Sequence, residues 1–223
     1  MSDFSKEDLE SFQKNGFVIK RKLWSSEVVS RAKAIATAHH TNGSSGVQVW
    51  PTDSLPEGAE ELVSDSSLVE VLKNLIGEPL EFLSVKPVYK SSELSYGSPW
   101  HQDYPYWRGS VNKISAWIAL DDANIENGCL RAIPGSHLEE VQHGTKEGNF
   151  GNRIPPDLMD ESQAIDVVMS AGDVLFFSDL LIHGSHSNTS GKDRWSLIPT
   201  YRSVATPDLE TSVGDLWSHP ISL

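Results

Sequence analysis

The chain changes texture at Pro79, and that change constrains its fold more than any other feature. Beyond it come LEFLSVKPVY, VNKISAWIALDD, CLRAIP, IDVVMSAGDVLFF and RWSLIPTY. These segments are short, rich in β-branched and aromatic residues, and separated by Gly, Asn, Asp and Pro, the pattern of strands bounded by turns. No helical period intervenes between them. Before Pro79 the spacing is helical instead. Ser5 with Asp8 reads as a capping box opening a helix that runs to Gly16. GFVIK is a short strand, and Ser25 or Ser26 caps a second helix with Val28, Val29, Ala32, Ile35 and Ala36 on one face. A third helix is expected from Asp65 to Gly77. Residues 41–60, rich in Gly, Ser and Pro, read as loop with a short strand around Val47 to Trp50. Helices followed by a run of strands argue for a mainly β fold, a sandwich or barrel with helices packed outside it.

At 223 residues the chain is long enough for one substantial core, so residues 1–223 are expected to form a single domain. Residues 1–78 make its mostly helical part, 79–204 the strand core and 205–223 a tail. Residues 138–163 are polar and rich in Gly and Pro, too long for a simple turn, and read as a candidate lid.

Composition excludes several roles. A net charge of −13 disfavours nucleic acid and anionic membrane surfaces, both of which require a basic face. No apolar run is long enough to cross a bilayer, and the opening MSDFSKEDLESF lacks a secretory pattern. A lone cysteine, Cys129, precludes an internal disulfide and fits a reducing compartment, so a cytoplasmic location is expected. A monomer or small homo-oligomer is expected.

The chemistry concentrates in two stretches. SPWHQDYPYW places His101 and Asp103 two residues apart. In extended chain, residues i and i+2 point to the same face and can converge on one ion. AGDVLFFSDLLIHGSHSNTSGKDRWSLIPTYR adds His183 at the end of an apolar run and Arg194 at the head of a half-buried strand. Two imidazoles and a carboxylate are the ligand set expected for non-haem Fe(II) with open coordination positions. Three protein ligands leave room for a bidentate 2-oxo acid and O2, and an inward Arg194 suits the far carboxylate of that acid.

These motifs resemble the phytanoyl-CoA dioxygenase family of Fe(II)- and 2-oxoglutarate-dependent oxygenases. The resemblance is carried by GFVIKRKLWSSEVV, FLSVKP, WHQD, AWIALDDANIENGCLRAIPGSH, AGDVLFFSDLLIHGSHSN and Arg194, which together span most of the chain. It implies a double-stranded β-helix, the cupin-like jelly roll, with iron at one mouth. By position it makes His101, Asp103 and His183 the catalytic iron ligands and Arg194 the anchor of 2-oxoglutarate. Phe82, Trp117 and Ser185 fall where family members line the co-substrate pocket, and a further contact falls near residues 44–50 without a residue assignment. Alternation along the last strand adds Ser196, on the same face as Arg194.

The implied reaction couples oxidation of 2-oxoglutarate by O2, giving succinate and CO2, to hydroxylation of an unactivated carbon in a small organic molecule. Desaturation, cyclisation and acyl-CoA hydroxylation use the same ligands and stay open. A carboxylate at Asp103 disfavours halogenation, which needs that position free for chloride. Tyr104, Tyr106 and Trp107, just after the ligand pair, and Lys86, on the strand carrying Phe82, are the expected substrate contacts. Aromatics there suit an apolar or cationic molecule. Two rivals use the same scaffold: a zinc hydrolase and a catalytically silent metal-binding relative. His39, His40, His137, His143 and His186 are given no catalytic role, nor is Asp179, which either orients a ligand or caps its strand.

Overall fold

The computed structural model describes residues 4–41, 45–93, 95–106, 113–144, 153–204 and 221–223. Two antiparallel sheets face each other. The larger follows the order β1 (Phe17–Lys20), β8 (Val174–Ser178), β5 (Lys113–Ala119), β10 (Arg194–Ser203), β4 (Leu80–Lys90) and β11 (Ile221–Ser222). Two short strands, β2 (Gly46–Val47) and β3 (Trp50–Pro51), also pair with β4. The smaller sheet is β7 (Ile165–Val167), β6 (Leu130–Ala132) and β9 (His183–Ser185). Neighbours that are distant in sequence, such as β8 beside β5 and β9 beside β6, are the crossovers of a jelly roll.

Strand alternation sorts the core into two layers. On β8, Val174 and Phe176 face the helices while Leu175 and Phe177 face the small sheet. On β5, Ile114, Ala116 and Ile118 face the helices while Trp117 and Ala119 face inward. β5 is therefore buried along its whole length, which explains its unbroken apolar texture. Phe176 and Phe177 are almost fully buried on opposite faces, each contributing about 1.5–3 kcal/mol.

The helices form where their caps and apolar faces direct. Helix α1 (Lys6–Asn15) opens on the expected capping box: Ser5 Oγ accepts from Asp8 N at 3.2 Å, and Asp8 accepts from Ser5 N at 2.8 Å. Helices α2 (Ser26–Ala38) and α4 (Ser66–Ile76) are capped by Ser25 and Asp65. The stretch expected to be loop differs. Its strand is split into β2 and β3, Thr52–Ser54 form a 3-10 turn, and a short helix, α3 (Ala59–Val63), buries Ala59, Leu62 and Val63. The strand core also draws on both flanks, since β1 and β11 lie outside residues 79–204. No helix among the described residues is long and apolar enough to cross a membrane.

Candidate active site

The site begins with a backbone contact. His101 and His183 form an antiparallel bridge in which each N–H donates to the other's carbonyl at 2.9 Å. Between His183 and Ser185, Gly184 lets the segment carrying Ser98 and Pro99 lie close. A Cβ there would sit 2.9 Å from Ser98 O. The bridge brings the imidazole rings to a centroid separation of 4.2 Å.

Each imidazole is then oriented by its own chain. His101 Nδ1 is 2.8 Å from Pro99 O, and His183 Nδ1 is 2.9 Å from Leu181 O. A carbonyl can only accept, so Nδ1 carries the proton and Nε2 presents a lone pair. Both lone pairs face Asp103 Oδ1, at 3.7 Å from His101 Nε2 and 4.0 Å from His183 Nε2. The three donor atoms lie within 4.8 Å of one another, and all three residues are buried. Burial, reinforced by the neighbouring imidazole, lowers His101 to about 3, and burial lowers His183 as well. Both rings therefore stay neutral. Burial works to raise Asp103, but the Lys86 ammonium and the imidazoles override it and bring the carboxyl down to about 2. Two neutral nitrogens and one carboxylate oxygen converging on a point fit a divalent iron with open positions.

The second oxygen of Asp103 is occupied differently. Lys86 Nζ lies 3.6 Å from Oδ2 and Ser115 Oγ 3.4 Å, the latter also 3.0 Å from Thr200 Oγ1. The two oxygens thus have separate duties, one toward the imidazoles and one toward the protein.

Deeper in the same cavity lies Arg194, only 2% exposed. Nη1 donates to Ser196 Oγ at 2.9 Å and Nη2 to Gly128 O at 3.0 Å, and the guanidinium carbon is 5.2 Å from the Trp117 ring centroid. Nε is buried with no acceptor. Among the described residues no carboxylate pairs with this cation. A buried, unneutralised guanidinium with a spare donor is costly unless an anion fills the space beside it. Lys90 stands opposite Arg194 in the β10–β4 register. Its Nζ donates to Tyr96 O at 3.1 Å, Ser185 Oγ at 3.0 Å and His186 O at 2.5 Å. Burial and the Arg194 charge lower Lys90 to about 7. Arg194 thus keeps a spare Nε donor for an anion, and Lys90, its three ammonium protons already donated, adds positive charge beside it.

The cavity has a volume of about 570 Å³ and includes the ligand trio, Arg194, Trp117 and Ser185. Its rim includes residues 45–49, the region where an upstream contact was expected. Lys86 and Tyr106 also line it. Tyr104 does not, being turned into the 3-10 turn Tyr104–Tyr106, where its N–H donates to Asp179 O at 2.9 Å. Trp107 lies outside the described residues.

Two expected co-substrate contacts are placed elsewhere. Phe82 is fully buried in the helix-side core, 5.8 Å from the Tyr201 ring, and does not line the cavity. The cause is a register shift: Thr200 pairs with Ser84 but Tyr201 pairs with Phe82, leaving Leu83 as an extra residue. One extra residue reverses which face follows, so Phe82 and Lys86 point to opposite sides of the sheet. Ser196 shares the face of Arg194 as alternation requires, but its hydroxyl holds the guanidinium and is itself fully buried.

Three residues of the site were not anticipated. Lys90 is signalled by its spacing, four residues beyond Lys86 on one strand. Ser115 has no distinguishing signal. Gln102, between the two ligands, points the other way and ties down residues 139–143. Its Nε2 donates to Glu139 O at 2.8 Å and to Leu180 O at 2.6 Å, and its Oε1 accepts from Val141 N at 2.9 Å. His143 accepts from Gln102 N at 3.0 Å. Burial pushes the Asp179 carboxylate well above the ordinary range against the opposing charge of Lys113, and the imidazole Nδ1 groups are held by Pro99 O and Leu181 O in its place.

Comparison with known proteins follows this geometry. The chain is 27% identical over 227 residues to dioxygenase lolE1 of Epichloe uncinata, covering 92% of this chain and 86% of that one. It is 32% identical over 174 residues to the methylphosphonate hydroxylase of Gimesia maris, covering 77% of this chain and 65% of the relative. The structure of the epimerase SnoN in complex with Fe3+, alpha ketoglutarate and nogalamycin RO shares the fold. Its TM-score is 0.76 at 19% identity, over 98% of this chain and 94% of that one. The phytanoyl-CoA dioxygenase (PhyH) family profile matches residues 12–196, and the chain belongs to that family.

Proposed function

We infer that His101, Asp103 and His183 hold Fe(II), that Arg194 and Lys90 hold the distal carboxylate of 2-oxoglutarate, and that a small organic substrate is hydroxylated above them. The enzyme class is that of an Fe(II)- and 2-oxoglutarate-dependent dioxygenase. The observation that carries the residue assignments is a single cavity with a neutral-imidazole and carboxylate trio at one end and an unneutralised guanidinium at the other.

The bound metal with its co-substrate supplies oxygen activation, coupled to decarboxylation of 2-oxoglutarate to succinate and CO2. The chain's own share is positional. Pro99 O and Leu181 O hold the Nδ1 protons, so neither ring can rotate its lone pair away. Lys86 and Ser115 hold Asp103 Oδ2 and leave Oδ1 to the metal. Ser196 and Gly128 set the plane of the guanidinium, and Trp117 closes one face of it. A cavity of about 570 Å³ accommodates a small molecule beside the co-substrate.

Among the described residues Asp103 is the only carboxylate lining this cavity, so a hydrolase reading lacks a general base. The test is anaerobic addition of Fe(II) and 2-oxoglutarate, followed by O2 and candidate substrates. A visible metal-to-ligand charge-transfer band and substrate-stimulated succinate are expected. A zinc hydrolase gives neither, and a silent relative gives no stimulated succinate.

A further inference from the structure

The surface of this protein is strongly acidic, with a net charge of −13, yet its cavity is basic. Three cations, Lys86, Lys90 and Arg194, line it against one carboxylate, Asp103. The two imidazoles each donate Nδ1–H to a backbone carbonyl, Pro99 O and Leu181 O, and turn Nε2 toward Asp103. On the reading above, Fe(II) and the dianion of 2-oxoglutarate cancel each other's charge. Among the described residues the cavity lining therefore keeps more basic than acidic side chains when loaded.

The cations do not form one cluster. Lys90 sits opposite Arg194 and Lys86 opposite Ile198 along the same pair of strands. Four residues of extended chain separate the lysines by about 13 Å along β4, a span longer than a five-carbon diacid. A 2-oxoglutarate held at Arg194 and Lys90 leaves Lys86 at the metal end, beside Asp103 Oδ2 at 3.6 Å. Tyr106 lines the same region and supplies an apolar wall.

We propose that the substrate is a small organic anion, a carboxylate or phosphonate, whose charged group seats on Lys86 while its apolar body lies against Tyr106. This rests on the dioxygenase reading and reverses the expectation of an apolar or cationic substrate drawn from the aromatics alone. Lys86 is then a specificity-determining residue through its charge and reach, in addition to its contact with Asp103 Oδ2.

The experiment uses the full chain loaded anaerobically with Fe(II) and 2-oxoglutarate. Methylphosphonate, hexanoate and phenylpropanoate are added, each beside its neutral counterpart (dimethyl methylphosphonate, hexanamide, phenylpropanamide). Shifts of the charge-transfer band report binding, and succinate release after O2 reports coupling. At least one acid should shift the band and stimulate succinate while its neutral partner does not. Compared at saturating Fe(II) and 2-oxoglutarate, Lys86→Met should lose ten-fold or more in affinity for that acid relative to its neutral partner, and Lys86→Arg should recover part of it. Neutral probes acting as well as acids, or no acid acting at all, overturns the proposal. So does a Lys86→Met variant that still prefers the acid over its neutral partner as strongly as wild type. Absence of the band from the wild-type protein sinks the dioxygenase reading instead, which keeps the two failures apart.

Discussion

His101 and His183 exchange a pair of 2.9 Å backbone hydrogen bonds, one in each direction, across an antiparallel bridge. The spacing of two metal-facing imidazoles is therefore set by ladder geometry and not by side-chain packing. Opposed residues in such a bridge have Cα atoms about 5.5 Å apart, and their side chains leave the same face together. The trio is preorganised before any ion arrives.

Because the backbone holds this spacing, removing one ring leaves the other two donors in place. His183→Ala and His101→Ala should each fold, retain 2-oxoglutarate contacts at Arg194, and lose iron. Loss of an outer partner of a ligand already costs about 10–100-fold in metal affinity, and loss of a ligand itself should cost no less. Anaerobic Fe(II) titration read by the charge-transfer band checks this. Full succinate formation in either variant would show that the ligands lie elsewhere.

Arg194→Ala should separate co-substrate binding from iron binding. Breaking a buried charge-assisted pair costs about 2–5 kcal/mol, so the apparent 2-oxoglutarate requirement should rise about thirty-fold or more with Fe(II) affinity nearly unchanged. Arg194→Lys should rescue little. An ammonium cannot donate in one plane to Ser196 Oγ and Gly128 O while also facing a ligand.

Lys90 makes the site sensitive to pH. Its folded pKa is lowered from 10.5 to about 7 by burial and by Arg194. Between those values the unfolded chain holds a proton that the folded chain has released. The cost of keeping Lys90 charged is thus fully felt below about 7 and relieved as pH rises toward 10.5. Without co-substrate, the stability of wild type relative to Lys90→Met should rise with pH across that window. A carboxylate placed beside Lys90 and Arg194 restores the charged form, so 2-oxoglutarate should bind with proton uptake above pH 7 and more weakly as pH rises. Calorimetry in buffers of different ionisation enthalpy measures that proton. Equal uptake in Lys90→Met would assign it to another group.

Much of this was legible in the residues, and the exceptions have physical causes. The capping box at Ser5, the Asp65 cap and the two-residue spacing of His101 and Asp103 are local features, and local features can be read from local sequence. The β9–β6 pairing and the His101–His183 bridge are long-range, and nothing near either histidine announces its partner. Family resemblance assigns Phe82 to the co-substrate pocket, and the register shift that turns it to the helix side is invisible in FLSVKP. Lys90 went unnoticed because a lysine near a turn usually faces water. Here Tyr96 O, Ser185 Oγ and His186 O bury it. Helix α3 was missed because Pro51, Pro56 and Gly58 punctuate the stretch before it, masking five helical residues that tertiary packing rescues.

The placement of Phe82 can be tested directly. Phe82→Ala removes a fully buried ring from the helix-side core and should cost about 3–5 kcal/mol of stability. At a temperature where the variant is still folded, its 2-oxoglutarate requirement should match wild type. Trp117→Ala should do the opposite in part, raising that requirement, because its ring lies over Arg194 and lines the cavity. A Phe82 variant that is stable but weak for 2-oxoglutarate would return the residue to the pocket.

Gly128 offers a route to the co-substrate site that replaces no charged group. Its carbonyl accepts from Arg194 Nη2 at 3.0 Å, and its φ of 86° lies in the left-handed region. A side chain is disfavoured there, by about 1–3 kcal/mol for a non-glycine residue held in that conformation. Space is also lacking. A Cβ would sit 2.7 Å from Lys90 Cδ and 2.8 Å from His186 O, and the second of these is backbone that cannot swing aside. Gly128→Ala must therefore displace either its own turn, which carries the carbonyl holding Arg194, or the segment after Ser185, which holds Lys90. Either movement loosens the carboxylate anchor while leaving His101, Asp103 and His183 where the bridge puts them. The expected outcome is a lower melting temperature together with a raised 2-oxoglutarate requirement and an unchanged Fe(II) titration in the absence of co-substrate. If the melting temperature falls but the 2-oxoglutarate titration stays at wild type, the carbonyl is not setting the guanidinium. The anchor must then rest on Ser196 and Trp117 alone.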